Sequence, residues 1–244
     1  MPVILAIETA TSICSIALST GDGSFHEISL KSNRRHNEIL PGMVEQLLSD
    51  SGVKSREIDV VAVSIGPGSF SGLRVGLSWV KGFALGVGAT VAPVETLDGI
   101  ALRMIEHLAD QSSEDKHSYS LCPLVPARKG ESFGRIYQCS GEEIISCSET
   151  MLVNAQQLIE ILPDDCYIAG EGADVITGGV MWGHMTPLHA QAPLVGFKYI
   201  PNLPASAIHI GKLALKNLIE RTESILSPEE LEPLYLKEFT VRER

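Results

Sequence analysis

Residues 58–65 read IDVVAVSI and pass directly into GPGSFSGLRVG at 66–76. A short apolar run of this kind suits a strand buried on both faces of its sheet, which requires helices above and below it. Gly66, Gly68 and Gly72 then stand after that strand and before a helix expected over about Ser71 to Leu85. Glycine there lets backbone amides come close to a ligand or to another chain, and a helix N-terminus favours anions. The stretch defines a strand–turn–helix unit of an α/β fold and leaves two readings open: a tight structural turn, or a contact for an anion or a partner.

Three familiar chemistries are excluded at this turn. Ser71 stands where a dinucleotide fingerprint needs its third glycine, and no Gly-Lys-Ser/Thr closes a P-loop. Phe70 stands where a GxSxG elbow would carry its nucleophile.

Around this unit the hydrophobic period predicts the other elements. Residues 3–8, 13–20 and 25–30 read as three strands, with a hairpin signal at Gly21, Asp22 and Gly23. Ile39, Leu40, Met43, Val44, Leu47 and Leu48 recur at helical spacing, so a helix is expected from near Asn37 to Gly52. Pro41 fits it only if it falls in the first turn. TVAPV at 90–94 reads as a strand and Thr96 to Leu108 as a third helix. Three meandering strands followed by helix, strand, helix, strand, helix is the order of ribonuclease H-like and actin-like halves, a mixed sheet with helices on its faces.

The polar segment Ala109 to Ser118 has linker composition, and strand-like runs restart at Leu121 and Ile136. The expected division is therefore 1–108 and 109–244. A helix is expected near Gln156 to Leu162, a glycine-rich region at Gly170 to Gly183, and an amphipathic helix at about 205–221 that can pack back on the first subdomain. No internal repeat is visible.

A formal net charge of −11 disfavours tight independent binding to a phosphate backbone. Lys31, Arg34 and Arg35 form the one dense basic cluster, read as a solvated loop or an RNA contact. Cys14, Cys122, Cys139, Cys147 and Cys166 form no CxxC pair, which points to a reducing compartment. No leader pattern follows Met1 and no window nears the roughly 20 apolar residues of a membrane span, so a cytoplasmic location is expected.

In the second helix Gly72, Gly76, Gly82 and Gly86 each cost roughly 1 kcal/mol against alanine if interior. Close approach of another helix would offset that cost, whether from the same chain or from a partner. The apolar face of the first helix is wider than one sheet contact requires, with the same two explanations. At the first strand turn, Glu8, Thr9, Thr11 and Ser12 stand where actin-like ATPases place a phosphate-contacting loop, although hydroxyls there also form turns. Thr9, Thr11 and Ser12, with Gly66, Gly68 and Ser69, are the candidate nucleotide contacts. His26, His36, His107, His117, His184, His189 and His209 include no pair of the HExxH or HxxxH kind, so no metal ligands are assigned.

IETATSICSIAL, RRHNEILPGMVEQLL, GPGSFSGLRVGLSWVKGFALG and EPLYLKEF, in that order, resemble the TsaB (YeaZ) family across essentially the whole chain. The resemblance implies an α/β, actin-like ATPase (ribonuclease H-like) fold of two subdomains with mixed sheets, the second reduced. It implies a subunit without catalysis of its own that pairs with the catalytic protein TsaD. With the ATPase TsaE, that pair is implied to form N6-threonylcarbamoyladenosine beside the anticodon of tRNAs reading ANN codons. Contact with tRNA would then be indirect, and ATP, if bound, would be held within the complex.

The implied pairing surface maps onto His36, Ile39, Leu40, Met43, Val44 and Leu47, and onto Leu73, Arg74, Val75, Gly76, Leu77 and Val80. The same face would form a homodimer when the partner is absent. The catalytic paralogue carries a metal-binding histidine pair in the corresponding helix, where this chain has only His36. Two departures stand out: Pro126, Ala127, Arg128 replaces the usual Asp-Ala-Arg, and Glu8 replaces the usual Asp. The competing class is an independent enzyme, an actin-like ATPase or kinase or a glycoprotease-like metallopeptidase. A kinase would need a second phosphate loop and a carboxylate for magnesium, for which Asp174 beside Gly172, Gly178 and Gly179 is the candidate.

Overall fold

A computed structural model describes residues 1–31, 35–111, 118–128, 130–176, 197–220 and 225–234. Arg34, His117, His184, His189, Gly178, Gly179 and the end of the EPLYLKEF motif lie outside the described residues, as does the side chain of Asp174.

The first sheet contains β1 (Ile4–Glu8), β2 (Ile13–Ser19), β3 (His26–Lys31), β4 (Val60–Gly66) and β5 (Thr90–Glu95), in the order β3-β2-β1-β4-β5. β1, β2 and β3 form an antiparallel meander, while β1, β4 and β5 run parallel. The period of two decides which core each residue enters. Leu5 and Ile7 of β1 face α1 (His36–Ser51) and α2 (Phe70–Val87), whereas Ile4 and Ala6 face the opposite side. That opposite side is covered by α6 (Ala207–Glu220), through Ala207, Ile210 and Ala214.

α1 starts at His36 and ends at Gly52, whose φ of 69° gives the left-handed cap that glycine adopts without strain. Pro41 corrects an expectation: it lies inside the helix, beyond the first turn. The carbonyl of Asn37 loses its helical donor, but Asn37 and Pro41 are both exposed and water can supply one.

The second sheet contains β6 (Tyr119–Pro126), β7 (Glu131–Gly134), β8 (Tyr137–Ser140), β9 (Glu143–Cys147), β10 (Met151–Asn154), β11 (Cys166–Ala169) and β12 (Phe197–Tyr199). β7 and β8 pair with opposite ends of the same edge of β6, and β10 and β9 continue outward from them. β11 joins the other edge of β6 in parallel, and β12 follows it. The order is that of the first sheet, with the second and third strands each broken in two. α4 (Ala155–Ile161) and α5 (Glu171–Ile176) are short.

The division at residue 108 needs one change. α3 (Thr96–Gln111) packs Leu97, Ile100, Met104 and Ile105 into the core of the second sheet, beside Leu121, Val125 and Tyr137. α6, late in the chain, packs on the first sheet. Each half therefore lends its last helix to the other. Among the described residues no helix is long and apolar enough to cross a membrane.

Candidate functional site

The glycine-rich turn is seated on the chain's own β1–β2 turn. Cβ atoms added at Gly68, Gly72 and Gly76 would lie 2.4 Å from the Ala10 oxygen, 2.1 Å from the Thr9 oxygen and 2.2 Å from Thr9 Oγ1. Thr9 Oγ1 donates to the Gly72 carbonyl at 3.0 Å, and the Ser69 amide donates to the Ala10 carbonyl at 2.7 Å. Ser69 Oγ caps α2 by accepting from the Gly72 amide at 3.2 Å. Gly66 (φ 119°) lies under the C-terminal segment, where the Leu234 amide reaches the Ile65 carbonyl at 2.8 Å. The glycines at 66, 68, 72 and 76 thus serve close approach within the chain. Of the candidate nucleotide contacts, Thr9, Thr11 and Gly66 are buried, and Ser69 bonds inward through its amide and hydroxyl.

The helix pair also differs from expectation. His36, Leu40, Met43, Val44, Leu47, Leu73, Gly76, Leu77 and Val80 are all buried, and the apolar ones among them fill the core over β1, β2 and β4. A helix wedged between a sheet and a second helix is covered on two sides, which accounts for the wide apolar face. Those residues cannot present side chains to a partner on an unchanged surface. Of the expected set, Arg74 is exposed and Ile39 and Val75 are half-buried.

The outward stripe of α2 is a different one. Phe70, Arg74, Ser78, Gly82 and Gly86 follow one another at four-residue spacing, with Leu85 beside them. Phe70 is 44% and Leu85 55% exposed, large apolar groups toward the two ends of a stripe that is small at Ser78 and Gly82. The Arg74 guanidinium lies 3.8 Å over the Phe70 ring. Cβ atoms at Gly82, Gly86 and Gly42 of α1 would meet nothing within 4 Å among the described residues. The glycines at 82 and 86 are legible in the sequence as points of close approach, whereas the outward facing of Phe70 and Leu85 is not, because leucines and valines surround the whole helix.

A cleft of about 520 Å³ lies between the subdomains, lined by Ser12, Lys31, Pro126, Glu171, Tyr199 and Asn202 among others. Glu171, the first residue of α5, crosses it: its two oxygens accept from the Ser12 amide at 3.0 and 3.2 Å, and one accepts from Ser12 Oγ at 2.8 Å. Beneath the turn Glu8 is fully buried; one oxygen accepts from the Ala10 amide at 2.5 Å, and the other has no hydrogen bond within normal geometry among the described residues. Burial pushes its carboxyl up to about 7, against the Ala10 amide and the neighbouring Ser64 hydroxyl, with the charge of Glu171 adding to the rise. His36 is held low by burial, against the backbone at Ile13 and Thr11 and the charge of Glu171. Among the described residues no group of three His, Cys, Asp or Glu is placed to hold a metal ion.

Arg128, of the unusual Pro-Ala-Arg sequence, pairs with Glu131 across the β6–β7 turn. Sequence reasoning missed Arg135 altogether. It binds Glu95 at 2.6 Å and Asp98 at 3.0 Å, joining the second sheet to the end of β5 and the start of α3.

The family described as "TsaD: tRNA N6-adenosine threonylcarbamoyltransferase" matches residues 28–237. The tRNA threonylcarbamoyladenosine biosynthesis protein TsaB of Haemophilus influenzae is 27% identical over 242 residues, covering 96% of this chain and 93% of the relative. The TsaB of Escherichia coli is 31% identical over 180 residues, covering 73% of each. In fold the chain is similar to YeaZ from Pseudomonas aeruginosa, with a TM-score of 0.74 at 24% identity, covering 97% of this chain and 100% of that one. The two mixed sheets with exchanged last helices are accordingly the actin-like arrangement, and the chain belongs to the tRNA threonylcarbamoyladenosine biosynthesis family, on its TsaB (YeaZ) branch.

Proposed function

We propose that this chain is a non-catalytic subunit that pairs with a TsaD-type threonylcarbamoyltransferase through the outer faces of α1 and α2. With TsaE, the pair would install threonylcarbamoyl on the adenosine beside the anticodon of tRNAs reading ANN codons. The observation that carries this reading is the outer stripe of α2. Gly82 and Gly86 weaken the helix by about 1 kcal/mol each, and among the described residues a Cβ at either would meet nothing within 4 Å, which leaves room for the close approach of a second chain that would offset the cost. A helix of a second chain can approach closely at Ser78, Gly82 and Gly86, with Phe70 and Leu85 as apolar anchors at either end. The same stripe would support a homodimer of the free chain. Net charge disfavours direct tRNA binding, and this supports the reading in which the partner contacts the RNA.

The test is size-exclusion chromatography with light scattering on this chain mixed with TsaD of the same organism. Leu85→Asp and Gly82→Leu should each weaken the complex roughly tenfold or more while leaving the fold intact. Tight pairing by both variants would move the interface elsewhere. Full tRNA modification by TsaD and TsaE without this chain would remove the accessory role itself. A charge at Met43 is no test of the surface, because Met43 is 5% exposed and belongs to the core.

A further inference from the structure

We propose that Glu171 is a built-in occupant of the cleft: its carboxylate takes the place of an oxyanion on the β1–β2 turn and latches the two subdomains together. The contact has the form in which a turn holds a phosphate, with one backbone amide and one hydroxyl converging on two charged oxygens at 2.8 to 3.2 Å. It joins residues 159 positions apart, one from each subdomain.

Glu171 has little freedom to leave by a shift of its backbone. A Cβ at Gly170 (φ 93°) would lie 2.3 Å from the Leu124 oxygen, and one at Gly172 would lie 2.6 Å from the Leu124 carbonyl carbon. The two glycines press the start of α5 against β6, and Ser132 Oγ donates to the Gly172 carbonyl at 2.9 Å. The carboxylate is therefore presented to Ser12 by a rigid support.

The carboxylate of Glu171 excludes a second anion while it is in place. It sits on the turn, and among the described residues Lys31 is the basic residue lining the cleft. An incoming phosphate would compete with that carboxylate for the same amide and hydroxyl and be repelled by its charge. With Glu171 removed, an oxyanion can take the place of its carboxylate on the Ser12 amide and hydroxyl, with Lys31 nearby, and the open cleft beside them has room for a larger phosphate-bearing molecule.

The test uses the full chain alone, so its outcome is independent of the pairing proposed above. Inorganic phosphate and ADP are titrated separately into wild type and Glu171→Ala, following the residue 12 amide by NMR and the radius of gyration by solution scattering. The variant should open and bind at least one of the two anions at residue 12 at least tenfold more tightly than wild type. A preference for ADP would identify a nucleotide as the fitting ligand, and equal binding a phosphate group alone. Equal affinity of wild type and variant, or no response at residue 12 in either, would overturn the proposal. If Glu171→Ala does not fold, Ser12→Ala removes one bond of the latch from the other side. Hydrogen exchange at the residue 12 amide should then speed up severalfold, and unchanged exchange would overturn the latch.

Discussion

A buried carboxyl with one unpartnered oxygen makes stability depend on pH. Glu8 rises from 4.5 to about 7, so the folded state holds its proton more tightly than the unfolded chain does. Its contribution is complete below pH 4.5 and is lost as pH rises through 7, by about 3 kcal/mol at pH 8. Glu8→Gln should therefore stabilise the chain at pH 8 and change little at pH 5, as read from urea midpoints at the two values. His209 acts in the opposite sense: burial between α6 and α3 lowers it, so its contribution is lost as pH falls below 6.5. Taking the difference between variant and wild type at each pH cancels His209 and isolates Glu8. Equal shifts at both pH values would mean that Glu8 is charged and satisfied in the native state. The position of Glu8 at a strand end was readable from the sequence, but its burial depends on the roof formed by residues 64–76, which no local pattern encodes.

At the scale of elements, the sequence gives good account of where helices and strands lie and a poorer one of which way they face. β1 to β5 and α1 to α3 fall within a few residues of expectation, because period and capping are local. The residues left the facing of α1 and α2 open between two explanations, because a wide apolar stripe looks the same whether its second neighbour belongs to the same chain or to another. The glycines of α2 separate the two cases. Gly72→Ala or Gly76→Ala drives a methyl into Thr9 and should destabilise the chain by about 1–3 kcal/mol. Gly82→Ala meets nothing and should stabilise the free chain by about 1 kcal/mol through helix propensity alone. The same Gly82→Ala change should weaken pairing with TsaD if a partner helix closes on that spot. Thermal melts of the free chain and binding titrations on the same four proteins check both halves; a Gly82→Ala chain that is less stable alone would mean that α2 has an internal neighbour there.

For the whole molecule, the feature hidden from the sequence is its internal duplication. No repeat is visible in the residues because the second sheet breaks two of its strands, yet both sheets share one order and each half sends its last helix to the other. The break between β7 and β8 is where Arg135 stands, and it lets that side chain reach the joint between β5 and α3. Arg135 is 14% exposed, with Glu95 and Asp98 at 29% and 31%, and Tyr137 donates its hydroxyl to the same Asp98. Replacing it leaves two half-buried carboxylates without their cation, so Arg135→Met should cost about 2 kcal/mol, discounted for solvent from the range for fully buried pairs. The exchanged helices decide how that loss is felt. Because neither core is complete without a helix from the other half, the molecule should unfold as one unit even though Arg135 lies in the second sheet and Trp79 in the first subdomain. In a Trp182→Phe background, urea unfolding followed by Trp79 fluorescence and by far-ultraviolet circular dichroism should give coincident curves, displaced equally by Arg135→Met. Curves that separate, with Trp79 unmoved, would mean that the two cores fold independently and that the helix exchange carries no cooperativity.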